Sequence, residues 1–233
     1  MRVLILGNSQ TVAIARGYKD WVASGLAPAD LELDFRFIGM GRELQSQFYS
    51  VSGTQFATQS QKVVSFAFEG GTVDYDHVGL AAPYFSSLLC KDPDWVTFGL
   101  APFKDGKTPI SRHLVEHVTR LGQRHLLGFM DALQAAGTRV FAIEPARLFR
   151  DSPLVQRNDP KLVARIDAIF CQTMAAELER RSIRSVLVPR EACDKKGFLL
   201  PEHQSYKKGD TVHANRAFGL LMVQQICAFL QGA

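Results

Sequence analysis

The sequence predicts an α/β fold: a three-layer, doubly wound sheet of about five parallel strands, with helices on both faces and an irregular insertion after the second strand. Three observations carry this expectation. Short apolar runs alternate with longer segments of helical period along most of the chain, the pattern of consecutive βαβ units. Such units cross over right-handedly and build a mostly parallel sheet. The chain has 233 residues, 46% of them apolar, enough for one domain over residues 1–233 to bury a large core without disulfide or metal staples. The expected winding is second strand, first, third, fourth, fifth.

The elements follow in order. Val3–Leu6 is the first strand, four apolar residues running into Gly7. A helix from Val12 to Val22 follows, with Ile14, Tyr18, Trp21 and Val22 on one stripe at helical spacing. Leu33–Ile38 is the second strand. Residues 41–75 then break the rhythm. Phe48-Tyr49-Ser50-Val51 and the run 62–68 suggest one or two short strands, and Gly70-Gly71 reads as a turn pair. His77–Ala82 is the third strand, and a loop-rich stretch from Pro83 to Pro109 contains Trp95 with several prolines and glycines. Ser111 to Ala136 is a long helix with Leu114, Val118, Leu121, Phe129 and Leu133 expected inward and Gly137 as its stop. Arg139–Ile143 is the fourth strand. Asp159-Pro160 supplies a cap and a first-turn proline to a helix reaching about Arg181. Ser185–Val188 is the fifth strand, and the last helix runs from Thr211 or Val212 to Leu230.

Charge says little about partners. The formal net charge is +4, from 27 basic and 23 acidic residues, and no nucleic-acid partner is expected from so small an excess. One stretch is more skewed: Arg180, Arg181, Arg184, Arg190, Lys195, Lys196, Lys207 and Lys208 stand against Glu191, Asp194 and Glu202. It reads as a solvated basic face, or as an attractor for an anionic substrate or acyl carrier. The four cysteines, Cys90, Cys171, Cys193 and Cys227, form no C-x-x-C pair, which leaves neither a zinc knuckle nor a redox motif and suggests a reducing compartment. No leader pattern and no membrane-spanning run is visible, so a cytoplasmic location is expected.

In an open α/β sheet, ligands bind beyond the carboxyl ends of the strands. The exits to inspect are Gly7–Gln10, Gly39–Gly41, Pro83–Ser87, Glu144–Arg147 and Pro189–His213. Two of them carry chemistry. In Gly7-Asn8-Ser9-Gln10 the serine stands where a strand turns into a helix. It reads either as a helix cap or as a nucleophile beside free helix-start N–H groups. Near the other end of the chain, Asp210-Thr211-Val212-His213-Ala214-Asn215 reads either as a capped helix start with an incidental histidine or as a general base held by a carboxylate.

Taken together, Gly7-Asn8-Ser9 and Asp210–His213 resemble the first and last blocks of the SGNH (GDSL-like) hydrolase superfamily, G-D/N-S and D-x-x-H. The resemblance implies a flavodoxin-like fold, Ser9 as nucleophile, His213 as general base and acid, and Asp210 as its orienter. It also implies an oxyanion hole formed by the N–H groups of Ser9 and Gly39, with Gly41 the second choice. The family's third block supplies an asparagine to the same hole. Here the only asparagines are Asn8, Asn158 and Asn215, so that donor is missing at its expected place: either Tyr84, Ser86 or another side chain substitutes, or the enzyme is slow, or its chemistry differs. The implied function is ester hydrolysis on a small-molecule or glycan ester. The same residues would also serve an O-acyltransferase, or a ligand-binding module with weakened catalysis. No cofactor is expected.

Competing motifs are weaker. His113-Leu114-Val115-Glu116-His117 fits the inverted zinc-protease pattern. Its face continues through Arg120, Arg124 and Asp131 and looks toward solvent, so no metal is expected. The second and third glycines of a dinucleotide fingerprint, a Walker A pattern and the second glycine of a G-x-S-x-G elbow are all lacking. Aromatic residues in the two irregular stretches, Phe48, Tyr49, Phe56, Tyr84, Phe85 and Trp95, either line an apolar acyl pocket or pack the insertions.

Overall fold

The structure is a computed structural model that describes residues 1–59, 69–72, 74–101 and 106–232. Its central sheet has five strands: β1 (Arg2–Gly7), β2 (Glu32–Phe37), β6 (His77–Ala81), β9 (Val140–Ile143) and β10 (Ser185–Val186). Their order is β10-β9-β6-β1-β2, and every pairing is parallel. This is the expected winding. Residues of β1 alternate between the two faces. Val3 and Ile5 join one core layer and Leu4 and Leu6 the other, so the strand is covered on both sides and reads as an unbroken apolar run. Helices α1 (Thr11–Ala23) and α6 (Arg216–Gln231) cover the first face. Helices α3 (Arg112–Ala135) and α5 (Pro160–Glu179) cover the second. Asp159 caps α5 as expected, its Oδ1 accepting from Lys161 N at 2.9 Å. No described helix is long and apolar enough to cross a membrane.

The irregular regions depart from expectation in identifiable ways. Residues 41–75 hold a three-stranded antiparallel sheet of β3 (Tyr49–Ser52), β4 (Gln55–Thr58) and β5 (Glu69–Gly71). Gly70 and Gly71 are not a turn; they pair with Phe56 and Gln55. The run 62–68 lies outside the described residues. Between β6 and α3, the chain forms the short helix α2 (Ser87–Cys90) and a parallel pair, β7 (Phe98–Leu100) and β8 (Thr108–Ile110). The last helix starts at Arg216, later than expected, because Asn215 and not Asp210 caps it: Asn215 Oδ1 accepts from Phe218 N at 3.1 Å.

The long helix α3 corrects the expected inward stripe. Phe129 and Leu133 are buried, but Leu114, Val118 and Leu121 are 47%, 41% and 51% exposed. The helix outruns the sheet. Its 24 residues span about 36 Å, against roughly 17 Å for a five-residue strand. Only its second half lies on the sheet. The first half buries the narrower stripe Val115 and Thr119. Val115 packs there with Trp95, Leu100, Val163 and Ile166 in a separate cluster. Val22, at the end of α1, is likewise exposed.

Two features fix the positions of the strand exits. Helices α1 and α6 cross at Gly17 and Gly219. A Cβ on Gly17 would stand 2.1 Å from Leu220 N, and one on Gly219 would stand 1.8 Å from Ala13 O. Backbone meets backbone here, with no flexible side chain to give way. Beyond β6 and β9, buried polar groups tie the loops down. Ser86 Oγ donates to Asp167 of α5. Glu144, 2% exposed, accepts from Val188 N at 2.7 Å and lies 2.8 Å from Arg147 Nε. Desolvation raises both carboxyls above their ordinary range, against the pull of Arg147 and their hydrogen bonds.

Gly219→Ala is expected to cost about 1–3 kcal/mol or more through overpacking, read as a lower urea midpoint. An unchanged midpoint would show that the helices separate freely. A second expectation concerns pH. A raised folded pKa means that the folded state keeps a proton the unfolded chain releases above about pH 4. Stability therefore falls as pH rises from there toward the folded value. Asp167→Asn removes the share of this slope that Asp167 contributes and leaves that of Glu144, so its urea midpoint should gain on the wild type as pH climbs above about 4. A gap that stays constant with pH counts against the assignment.

Candidate active site

At the end of β1, Gly7 permits the reversal into α1: a Cβ there would stand 2.3 Å from Thr11 Cγ2. Asn8, buried at 1% exposure, shapes the turn. Its Oδ1 accepts from Gln10 N at 2.9 Å, and its carbonyl accepts from Thr11 N at 3.0 Å and Thr11 Oγ1 at 2.6 Å. The local capping work thus falls to Asn8. The Ser9 hydroxyl points elsewhere, to His213 Nε2 at 3.1 Å.

His213 comes from a loop that leads into α6. Asp210 Oδ1 accepts from Val212 N at 3.1 Å and from His213 N at 3.0 Å, and both Asp210 carboxylate oxygens lie 3.1 Å from His213 Nδ1. Around it, Ser205 N donates to the His213 carbonyl at 2.9 Å, and Gln10 Nε2 reaches the Val212 carbonyl at 3.4 Å. Desolvation alone would raise the Asp210 carboxyl. The two main-chain N–H groups and the imidazole outweigh it and hold the group below the ordinary carboxylate range. The result is a hydrogen-bonded series, Ser9–His213–Asp210, joining residues 204 positions apart. Such a series sets the imidazole tautomer through one ring nitrogen and leaves the other to take a proton from the hydroxyl.

The remaining sequence-predicted residues sort into two groups. Gly39 lies buried at the exit of β2, with φ of 143°, a conformation that favours glycine. Met40 N beside it donates to Glu43 Oε2 at 2.6 Å. Gly41 serves close approach, since a Cβ there would stand 2.8 Å from the Phe85 ring. Tyr84 and Ser86 are turned away: the Tyr84 hydroxyl is 3.0 Å from Ser185 Oγ, and Ser86 is engaged by Asp167. Of the aromatics, Phe48, Tyr49 and Phe56 pack against Phe129 of α3. His113 is on an exposed face with its Nδ1 3.2 Å from Glu116 Oε2, and Glu116 also takes Arg112 Nε at 2.7 Å. Among the described residues, no group of three or more His, Cys, Asp or Glu side chains is placed to hold a metal ion. All four cysteines are free thiols. Part of the basic stretch is engaged locally: Arg180 and Arg181 pair with Glu177, and Arg184 lies over the Phe229 ring.

One residue escaped sequence reasoning. Lys91, just after α2, is half-buried, and desolvation lowers its pKa against the opposing pull of the Asp210 carboxylate. A single lysine in a loop carries no motif. Only the fold brings its charge within reach of Asp210.

No protein-family profile matches the chain, and no curated protein matches it in sequence. Solved structures do match its architecture. An acetyl xylan esterase is 12% identical, with TM-score 0.52 over 99% of this chain and 100% of that one. A GDSL-like lipase from Bacteroides thetaiotaomicron is 12% identical, with TM-score 0.51 over 99% of this chain and 88% of that one. A psychrotrophic esterase from Pseudoalteromonas, solved with the inhibitor monoethylphosphonate, is 12% identical, with TM-score 0.51 over 99% of this chain and 97% of that one. At such identities the likeness is architectural, and the chain has the three-layer fold of the GDSL-like lipases and esterases.

Proposed function

We propose that the protein is a serine ester hydrolase with Ser9 as nucleophile, His213 as general base and acid, and Asp210 as its orienter. The observation that carries this reading is the continuous series from Ser9 Oγ to His213 Nε2 and from His213 Nδ1 to Asp210, each step at 3.1 Å. A serine hydroxyl is a weak nucleophile until a neighbouring base takes its proton. In the first step, Ser9 Oγ attacks the ester carbonyl and His213 Nε2 accepts the hydroxyl proton. The imidazolium faces the ionised Asp210, which stays charged because its carboxyl is held low. His213 then gives the proton to the departing alcohol, leaving an acyl-enzyme. Water, deprotonated by His213, releases the acid and restores Ser9.

The oxyanion is assigned to the main-chain N–H groups of Ser9 and Gly39. Tyr84 and Ser86 are dropped from that role because both hydroxyls are engaged elsewhere. A hole of two main-chain donors without an asparagine forgoes roughly 3 kcal/mol of transition-state stabilisation, so modest turnover on unactivated esters is expected.

Ser9→Ala should lose labelling by a fluorophosphonate probe and at least about 10³-fold in kcat on nitrophenyl acetate. Equal labelling of the variant and the wild type would remove Ser9 from the mechanism. Asp210→Asn should fold and still lose about 10³–10⁴-fold in kcat, because the amide favours the wrong tautomer of His213. A loss below about tenfold would show that His213 needs no carboxylate partner. If the wild type turns over no ester in a broad panel yet binds one tightly, the site is a binding module.

A further inference from the structure

Among the described residues, two hydrogen bonds join the turn that carries Ser9 to the His213 loop. One is the Ser9–His213 contact itself. The other comes from Gln10, whose Nε2 donates to the Val212 carbonyl at 3.4 Å. That carbonyl and the His213 N–H belong to one peptide unit. The N–H of the unit donates to Asp210 Oδ1 at 3.0 Å, so the plane that precedes the imidazole is held at both edges. A planar peptide has no internal rotation to absorb a shift at either edge. Its two bonds therefore set the direction in which His213 leaves the chain. Gln10 is anchored in turn, since its own N–H donates to Asn8 Oδ1 at 2.9 Å. Other bonds of the loop run to residues 203–205. Ser205 N donates to the His213 carbonyl at 2.9 Å, Asn215 N to the His203 carbonyl at 2.8 Å, and Gln204 Nε2 to the Asp210 carbonyl at 3.3 Å. These bonds hold the loop's shape; none of them ties it to the turn of Ser9.

Stability alone does not account for a glutamine at this position. Gln10 is 3% exposed, and its Oε1 is buried with no hydrogen-bond partner among the described residues. Only the nitrogen of an amide can donate to a carbonyl, so the bond to Val212 fixes which way the amide faces and leaves Oε1 unpaired. A buried polar atom without a partner lowers stability, and an apolar side chain of similar shape avoids that loss. The unpaired oxygen is therefore kept at the residue beside Ser9 while the nitrogen of the same amide reaches the loop of His213. Natural chains break a local rule of this kind chiefly where function is served.

We propose that Gln10 is a positioning residue for the reaction: it ties the peptide unit before His213 to the turn of Ser9 and so sets the approach of the imidazole to the hydroxyl. The proposal rests on Ser9 as nucleophile and His213 as base, and adds to that reading the residue that aligns them. In this role Gln10 touches no reacting atom. Its loss lowers kcat through geometry and leaves substrate binding alone.

The test uses Gln10→Met, with Gln10→Leu as the second variant; both remove the amide and keep an apolar side chain of similar bulk. On nitrophenyl acetate, kcat should fall about 10- to 100-fold with KM within about twofold. The urea midpoint should equal that of the wild type or exceed it. Hydrogen exchange read by mass spectrometry follows the tether without turnover. Peptides spanning Ser205 to Asn215 should exchange faster in Gln10→Met, and those of the central sheet should not. Faster exchange in the variant beside a wild type that turns over no ester would sink the nucleophile and leave the tether. An active wild type whose kcat is unchanged in both variants would overturn the tether and leave the nucleophile. A rise in KM at constant kcat would place Gln10 on the substrate instead, and a kcat loss matched by a lower urea midpoint would make it a structural residue; either result overturns the proposal. So does a kcat loss with unchanged exchange, since the effect would not run through the loop.

Discussion

The site depends on the crossing of α1 and α6 at Gly17 and Gly219. Ser9 lies two residues before α1 and His213 three residues before α6, so the relative placement of the two helices is the relative placement of hydroxyl and imidazole. A contact made of backbone atoms leaves little play. At each glycine, an added Cβ would stand about 2 Å from main-chain atoms of the other helix. Side-chain packing can relax by changing rotamer; this contact relaxes only by moving a helix. The 3.1 Å between Ser9 and His213 is thus set several residues away from both.

Asp210 carries the second constraint. One of its oxygens accepts two main-chain N–H groups of its own loop while both oxygens face His213 Nδ1. Shape and electrostatics therefore come from the same carboxylate. The turn that aims the imidazole is the turn that lowers the carboxyl's pKa, because each donor that fixes the geometry also favours the charged form. The loop needs no helix cap from this residue, since Asn215 supplies one.

What the sequence revealed followed from how local each feature is. Val3–Leu6 announces a buried central strand because both of its faces are covered. Asp210 and His213 are three residues apart, and Gly7 to Ser9 are consecutive, so their pattern survives in the linear chain. The strand order also followed, because parallel windings are few. The partners of Tyr84 and Ser86 were invisible, since they lie 101 and 81 residues away. Glu69–Gly71 shows no alternation of side chains, so its place in a sheet was hidden. The stripe of α3 misled for a different reason. Helical period marks an apolar face without saying what covers it, and the first half of this helix extends beyond the sheet.

The division of labour at the end of β1 has an electrostatic consequence. With Asn8 making the turn, the N–H groups of Gln10 and Thr11 are taken by Asn8 itself, and the Ser9 hydroxyl stays out of the bonds that start α1. The start of α6 is likewise capped by Asn215 and not by His213. Each helix start carries a partial positive charge from its aligned peptide dipoles, and Ser9 and His213 lie two and three residues before one. A dipole built into a helix is already oriented and has no reorganisation left to undergo when charge arises near it.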